Sequence, residues 1–502
     1  MRASATAHSG YVIGQVDSRV FGSFVEHLGR AVYTGIYEPD HPSADANGMR
    51  QDVIDLVREL DVPIVRYPGG NFVSAYYWED GIGPVDERPT RLDLAWHSSE
   101  SNAVGIHEFA DWADAAGTEM MLAVNLGSRG LDPARNFLEY VNHPGGSYWS
   151  DLRKKNGRDE PWNVKMWCLG NEMDGPWQTG QKTADEYGRI AFETAKAMRA
   201  YDKSLELVVC GSSTPTMPTY PQWEATVLDH TYDVVDFISL HMYFKNHAAD
   251  TATYLAEAAR LDDYIGTVAG IIQFIKAKKR SKRDVYISFD EWNVWYHSEE
   301  QDKKVLEGNS GWPEAPALLE DIYNFEDVLQ VGCILNTFIR RADVVKVACL
   351  AQLVNVIAPI MTVEGGPAWR QTTFWPFLFA SKYARGLAFD LAVDCPGYAT
   401  DAFADVPYLD VAAVKSDVDG ALTVFIVSRH ETETIDFTLS LEGFGDRQII
   451  EDKVIAGHDL RATNGPDGEP VAPMDGAGAT VGAGRLAVSV PPLSYRMIRL
   501  GA

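Results

Sequence analysis

A chain of 502 residues exceeds one ordinary hydrophobic core and has room for a barrel of ~250 residues plus a further domain. An apolar fraction of 46% and a charged fraction of 23% are those of a folded globular protein and exclude a disordered chain. Asp and Glu outnumber Lys and Arg by 71 to 44, a formal charge of −27, which excludes the basic face that nucleic acid or an anionic membrane requires.

The first residues, MRASATAHSGYVIG, lack an apolar core of signal-peptide length. No run approaches ~20 uninterrupted apolar residues, so a cytoplasmic protein without a membrane span is expected. Cys168, Cys210, Cys333, Cys349 and Cys395 are odd in number and form no CxxC. Several sit in apolar runs, which predicts buried free thiols and a reducing compartment.

Eight short, β-branched runs then alternate with amphipathic stretches. The runs are 20–25, 62–67, 120–125, 164–169, 207–211, 237–241, 285–290 and 345–353. Near-continuous apolar strands suit a parallel sheet covered on both faces. Between them, MRQDVIDLVREL places Val53, Leu56, Val57 and Leu60 on one helical face. Stretches 107–116, 184–201, 254–278 and 318–341 repeat that pattern. Strand–helix alternation eight times over predicts a closed (β/α)8 barrel, the TIM barrel, across residues 15–388. After that, helical periodicity gives way to short strand-like runs separated by turns such as DVDG and NGPDGEP. Residues 389–502 therefore read as an antiparallel, jelly-roll-like β-sandwich, with residues 1–14 adding a strand to it.

In such a barrel the chemistry lies at the C-terminal ends of the strands. Strand four, VKMWCLG, runs into Asn171 and Glu172, and strand seven, VYISFD, into Glu291. Two carboxyl groups facing across one mouth are what acetal cleavage needs, one protonated to donate to the leaving oxygen and one ionised to attack the anomeric carbon. While Glu291 is charged it disfavours a second charge on Glu172, which keeps its proton. Once Glu291 is esterified, Glu172 is free to ionise and activate water. A lone Glu after a strand is more often a cap or ion-pair partner; it is the pair that points to catalysis.

Other strand ends are polar as well: Glu26 and His27, Arg66 and Asn71, Asn125, His241 and Tyr243, and Gln352. Arg66 and Tyr243 are suited to orienting Glu291, and Asn171 to binding a sugar 2-hydroxyl. Trp96, Trp177 and Trp295 fall in predicted mouth loops, where aromatic faces suit the apolar faces of sugars. The turn Pro68-Gly69-Gly70 would let backbone approach a ligand. There is no HExxH, no Cys/His metal cluster, no P-loop and no GxSxG elbow, so no metal or cofactor is expected.

Four segments, FGSFVEHLGRAVYTGIYEP, IVRYPGGNFVSAYYWEDGIGP, WCLGNEMDGPWQTG and ISFDEWNVWY, closely resemble the glycoside hydrolase family 51 α-L-arabinofuranosidases. The resemblance implies a retaining, exo-acting enzyme that releases terminal arabinofuranosyl groups from arabinan- or arabinoxylan-derived oligosaccharides without a cofactor. It implies that Glu172 is the acid/base and Glu291 the nucleophile. It carries sugar contacts over to Glu26, Asn71, Asn171, Tyr243 and Gln352, with Trp96 and Trp295 shaping the pocket and Arg66 and His241 supporting it. It further implies an intracellular homo-oligomer, often a hexamer. The residues by themselves leave open an endo-glucanase or xylosidase on the same scaffold, or a carbohydrate-binding protein without catalysis.

Overall fold

In the computed structural model, which describes residues 1–308 and 311–502, eight parallel strands close into a barrel. In chain order they are Gly22–Phe24, Ile64–Tyr67, Glu119–Val124, Met166–Leu169, Glu206–Cys210, Phe237–Phe244, Tyr286–Val294 and Val345–Leu350. Each pairs with its sequence neighbours, and the last closes on the first through Cys349–Gly22. Phe24, Ile64, Met121, Cys168, Val208 and Val347 fill the interior, so the barrel is a packed core and not a pore.

The outer helices follow the apolar periodicity. Gln51–Leu60 buries Val53, Ile54, Leu56, Val57 and Leu60 against the barrel. The helix predicted over 318–341 begins later, at Phe325, and ends at Arg340. Its start is set by a capping box: Asn324 accepts from the Asp327 amide while Asp327 accepts from the Asn324 amide. Apolar content before Asn324 is therefore loop packing. This helix is buried along nearly its whole length because the second unit covers its outer face.

That second unit is built on one ten-stranded sheet. The strand Arg2–Gln15 lies inside it, parallel to Ile435–Glu442 on one side and antiparallel to Gly386–Asp394 on the other. Ala5, Val424, Ile498, Leu439 and Val488, from both halves of the sheet, share one apolar core. The two faces of the predicted sandwich are thus halves of a single continuous sheet folded over on itself. Gln448–Ile455, missing from the predicted strands, pairs with Ser494–Gly501; its residues are mostly half-exposed and lack alternation.

The seventh barrel strand matters most for the site. It was expected to stop at Asp290, yet it continues to Val294. Against strand six, the register runs Ser288 to Ser239 and then Glu291 to His241, so three residues oppose two. Successive strand residues normally face opposite sides. The extra residue is a β-bulge, and it lets both Asp290 and Glu291 reach partners inside the barrel.

Candidate active site

Glu172 follows strand four at a sharp turn. Gly170 has φ 92° and Glu172 itself φ 43°, the left-handed region that a residue with a Cβ enters at a cost. Glu291 rises from the bulge of strand seven. A ligating oxygen of Glu172, a ring nitrogen of His241 and an oxygen of Glu291 all lie within 4.8 Å of one another.

Each carboxyl group is held. Glu291 accepts from Arg66 Nη1 at 2.7 Å through Oε1 and from the Tyr243 hydroxyl at 2.8 Å through Oε2. Glu172 contacts His241 Nδ1 at 2.9 Å through Oε1 and accepts from the Trp177 indole N–H at 2.7 Å through Oε2. Arg66 Nη2 donates to Asn171 Oδ1 at 2.7 Å, so one guanidinium orients residues from both strand ends.

Beneath the pair lies Asp290, fully buried. It accepts from Ser239 Oγ, meets His241 Nε2 at 3.1 Å and lies 3.9 Å from Arg66 Nε. Burial opposes its charge, but the Arg66 and His241 cations outweigh burial and hold Asp290 below the usual carboxylate range. Burial likewise opposes a charge on His241; the carboxylates of Glu291, Asp290 and Glu172 outweigh it and lift the imidazole to about 10. Burial pushes the Glu291 carboxyl up and the Glu172 charge adds to that, while His241, Arg66 and the Tyr243 phenol pull it back.

Glu172, His241 and Glu291 have metal-ligand spacing, the one such group among the described residues. Their chemistry does not fit a cation. Both His241 nitrogens are already engaged, Nδ1 with Glu172 and Nε2 with Asp290, so neither is free to bind a cation.

A cavity of about 550 Å³ opens above the pair, the size of a site for a whole small molecule. Glu26, Asn71, Trp96, Glu172, Tyr243, Glu291, Trp295 and Gln352 line it, together with Trp177. Arg66, Asn171 and His241 are nearly buried, outside the lining, and brace it from below. Glu26 accepts from the Phe72 amide at 2.8 Å and the Trp96 indole at 3.1 Å, and its own amide donates to Gln352 Oε1 at 2.9 Å. Burial raises its carboxyl to about 8. The glycine pair at 69–70 serves this residue, since a Cβ on Gly70 would collide with the Glu26 carboxyl group. Two polar strand ends turn away: His27 bonds Glu100 and Tyr67, and Asn125 folds into its own loop on Ser128 and Tyr76. Sequence reasoning missed Asp290 and Ser239: regular alternation would put Asp290 and Glu291 on opposite sides of the strand, and the bulge that brings both inside leaves no local signal. The hydrogen bond from Trp177 to Glu172 was also unforeseen.

Fold and site together define a glycoside hydrolase: a (β/α)8 barrel with two close carboxyl groups at one mouth. Comparison with known proteins narrows this. Residues 56–264 match the "Alpha-L-arabinofuranosidase 1 domain" and residues 290–494 the "Alpha-L-arabinofuranosidase C-terminal domain". An intracellular exo-α-(1→5)-L-arabinofuranosidase of Halalkalibacterium halodurans is 54% identical over 100% of this chain and 99% of its own. One from Bacillus subtilis is 54% identical over 98% and 97%. The solved structure of AbfB, a family 51 α-L-arabinofuranosidase from Bifidobacterium longum, superposes with a TM-score of 0.94 at 43% identity, covering 99% of both chains. The chain belongs to glycoside hydrolase family 51, the α-L-arabinofuranosidases, a retaining family. No described helix is long and apolar enough to cross a membrane.

Proposed function

We propose that this enzyme removes terminal arabinofuranosyl groups from α-(1→5)-linked oligosaccharides by double displacement, with Glu291 as nucleophile and Glu172 as acid/base. The observation that carries the reading is the approach of Glu172 and Glu291 oxygens to within 4.8 Å at the floor of one pocket. Retaining enzymes hold their two carboxyl groups about 5–5.5 Å apart, too close for a water molecule to be attacking from between.

In the first step a Glu291 oxygen bonds to the anomeric carbon as the glycosidic C–O bond breaks. Glu172 gives its proton to the departing oxygen. In the second step Glu172 takes a proton from water, the water oxygen bonds to the anomeric carbon, and the ester to Glu291 breaks. Arg66 and Tyr243 keep Glu291 charged and aimed. Glu26, Asn71 and Gln352 hold the sugar hydroxyls, Asn171 braces them from behind Arg66, and Trp96 and Trp295 cover the apolar parts of the sugar. The cycle uses side chains alone.

The linkage rests on relatives named for α-(1→5) cleavage at 53–54% identity, although one from Bifidobacterium longum named for α-(1→6) cleavage is 48% identical. The word intracellular in the same names supports action inside the cell.

Proton NMR of the first minutes of hydrolysis tests the mechanism. Retention predicts that arabinose appears first as the α-anomer, and early β-anomer would sink it. Glu291→Ala should abolish turnover. Glu172→Ala should still release activated aryl leaving groups, and added azide should yield the α-arabinofuranosyl azide.

A further inference from the structure

The strand that supplies Glu291 also carries Asn293, a residue to which neither the proposed cycle nor the pocket lining gives a part. Two positions beyond Glu291, past the bulge, it projects to the same side of the strand. It is nevertheless 1% exposed and stops short of the cavity.

Its amide is committed to the backbone that follows strand eight. Nδ2 donates to the Ala351 carbonyl at 2.9 Å and to the Ile357 carbonyl, while Oδ1 accepts from the Val294 amide at 2.8 Å. Ala351 and Ile357 bracket a tight turn that begins with Gln352, whose own amide donates to the Val356 and Ile357 carbonyls at 3.2 and 3.1 Å. Asn293 therefore closes the neck of that turn. The turn needs closing. Asn355 has φ 61° and Ile357 φ 38°, and left-handed backbone is costly for a β-branched side chain. Such strain persists only where the surroundings fix it. Here they are Asn293 on one side and the Leu319 carbonyl, which accepts from the Ile357 amide at 2.6 Å, on the other.

The turn carries Gln352 to the pocket wall. Its Oε1 accepts from the Glu26 amide at 2.9 Å, and its Nε2 lies 3.5 Å from Glu26 Oε2. Strand seven thus reaches the polar groups of strands eight and one through a single buried amide.

We propose that Asn293 is a positioning residue for sugar binding, which fixes the turn 352–357 and through it the Gln352 side chain. This rests on the sugar contact proposed for Gln352. Asn293 itself touches no substrate, so its influence on the reaction has to pass through that neighbour.

A double-mutant cycle tests this, with kcat/KM measured on an aryl α-L-arabinofuranoside for wild type, Asn293→Ala, Gln352→Ala and the double variant. Two neutral hydrogen bonds are lost in Asn293→Ala, so kcat/KM should fall about tenfold, mainly through KM, with kcat within about threefold of wild type. In the Gln352→Ala background the same substitution should lower kcat/KM by no more than about twofold, because the side chain it positions is gone. Asn293→Ser, a smaller disturbance of the fold, should show the same coupling with a smaller drop. An Asn293 effect of equal size with and without Gln352 overturns the positioning role and leaves Asn293 as a support of the barrel alone. An Asn293→Ala enzyme with the KM of wild type overturns it as well. A Gln352→Ala enzyme with the KM of wild type would instead remove Gln352 from the sugar contacts, and with it the reading on which the proposal rests.

Discussion

His241 Nε2 lies 3.1 Å from Asp290 Oδ1, while the opposite ring nitrogen lies 2.9 Å from Glu172 Oε1. His241 thus bridges a fully buried carboxylate and the carboxyl group proposed as the acid/base. Asp290→Asn removes the anion and nearly preserves the shape. His241 then faces only Glu172 and Glu291 as anionic partners, with the Arg66 cation nearby, and its imidazole drops toward its ordinary range. We expect kcat to fall on the order of a hundredfold, with KM changing far less. NMR of isotopically labelled histidine should show His241 losing its proton near neutral pH. An imidazolium that persists, with kcat within threefold of wild type, would contradict the arrangement.

Tyr243→Phe tests the other side of the pair. The phenol donates to Glu291 Oε2 at 2.8 Å and so favours its charged form. Without it the Glu291 carboxyl rises further above its ordinary value, and more acid is bound at a given pH. The acidic limb of kcat/KM should therefore move to higher pH, by about one unit. A hydrogen bond to a charged group is worth about 1.5–3 kcal/mol, so activity at the optimum should fall about ten- to a hundredfold. A pH profile with an unmoved acidic limb would dissociate Tyr243 from the ionisation of Glu291.

Glu26, with its carboxyl pushed up to about 8 by burial, carries a proton at neutral pH. Its Oε1 is occupied by two N–H donors and its Oε2 faces Gln352 Nε2 at 3.5 Å, so the proton sits on Oε2. Glu26→Gln keeps an acceptor and a donor at those positions and should retain most activity at pH 6. Wild type should show a rise in KM as pH passes about 8, where Glu26 ionises, and Glu26→Gln should lose it. Gly70→Ala, which drives a methyl group into the same carboxyl, should lower kcat/KM by tenfold or more with a smaller change in Tm. Steady-state kinetics from pH 5 to 9 check all three, and a Gln variant as impaired as Glu26→Ala would show that Glu26 acts as an anion.

Much of this was legible in the sequence because it depends on local pattern. Apolar runs separated by amphipathic stretches mark the barrel, and barrel anatomy then brings Glu172, Glu291 and the polar strand ends to one mouth. What was hidden depends on departures from pattern. A single extra residue in strand seven turns Asp290 inward, and nothing in ISFDEWNV announces a bulge. Gly70 reads from sequence as part of a turn that lets backbone approach a ligand; what it does, clearing space for Glu26 some forty residues away, exists only in three dimensions. The Trp177–Glu172 bond likewise needs the fold of the Gly175 loop. Among the outer strands, Gln448–Ile455 escaped because an edge region open to water need not alternate.

The joint between barrel and sheet makes a prediction independent of catalysis. Asp410, on the strand Leu409–Ser416, accepts from Arg340 Nη1 at 2.7 Å, Arg429 Nη2 at 2.6 Å and Asn336 Nδ2 at 2.9 Å. Arg340 and Asn336 belong to the buried helix Phe325–Arg340, so this carboxylate ties that helix to the sheet. Burial alone would raise its carboxyl, but the two guanidinium groups hold it down to about 2. A carboxyl group lower in the folded than in the unfolded chain stabilises the fold above the unfolded value and loses that effect as pH falls through the folded one. The contribution, about 2 kcal/mol, is therefore complete above about pH 4 and disappears toward pH 2. Asp410→Asn should destabilise the enzyme by about 3–5 kcal/mol at neutral pH, because two arginines lose their shared anion at a buried joint. The difference from wild type should narrow on acidification, and kcat should stay near wild type at temperatures where the variant is folded. Denaturant titrations at a series of pH values would reveal this, and a gap between the two proteins that stayed constant from pH 7 to pH 2 would rule out Asp410 as the titrating link.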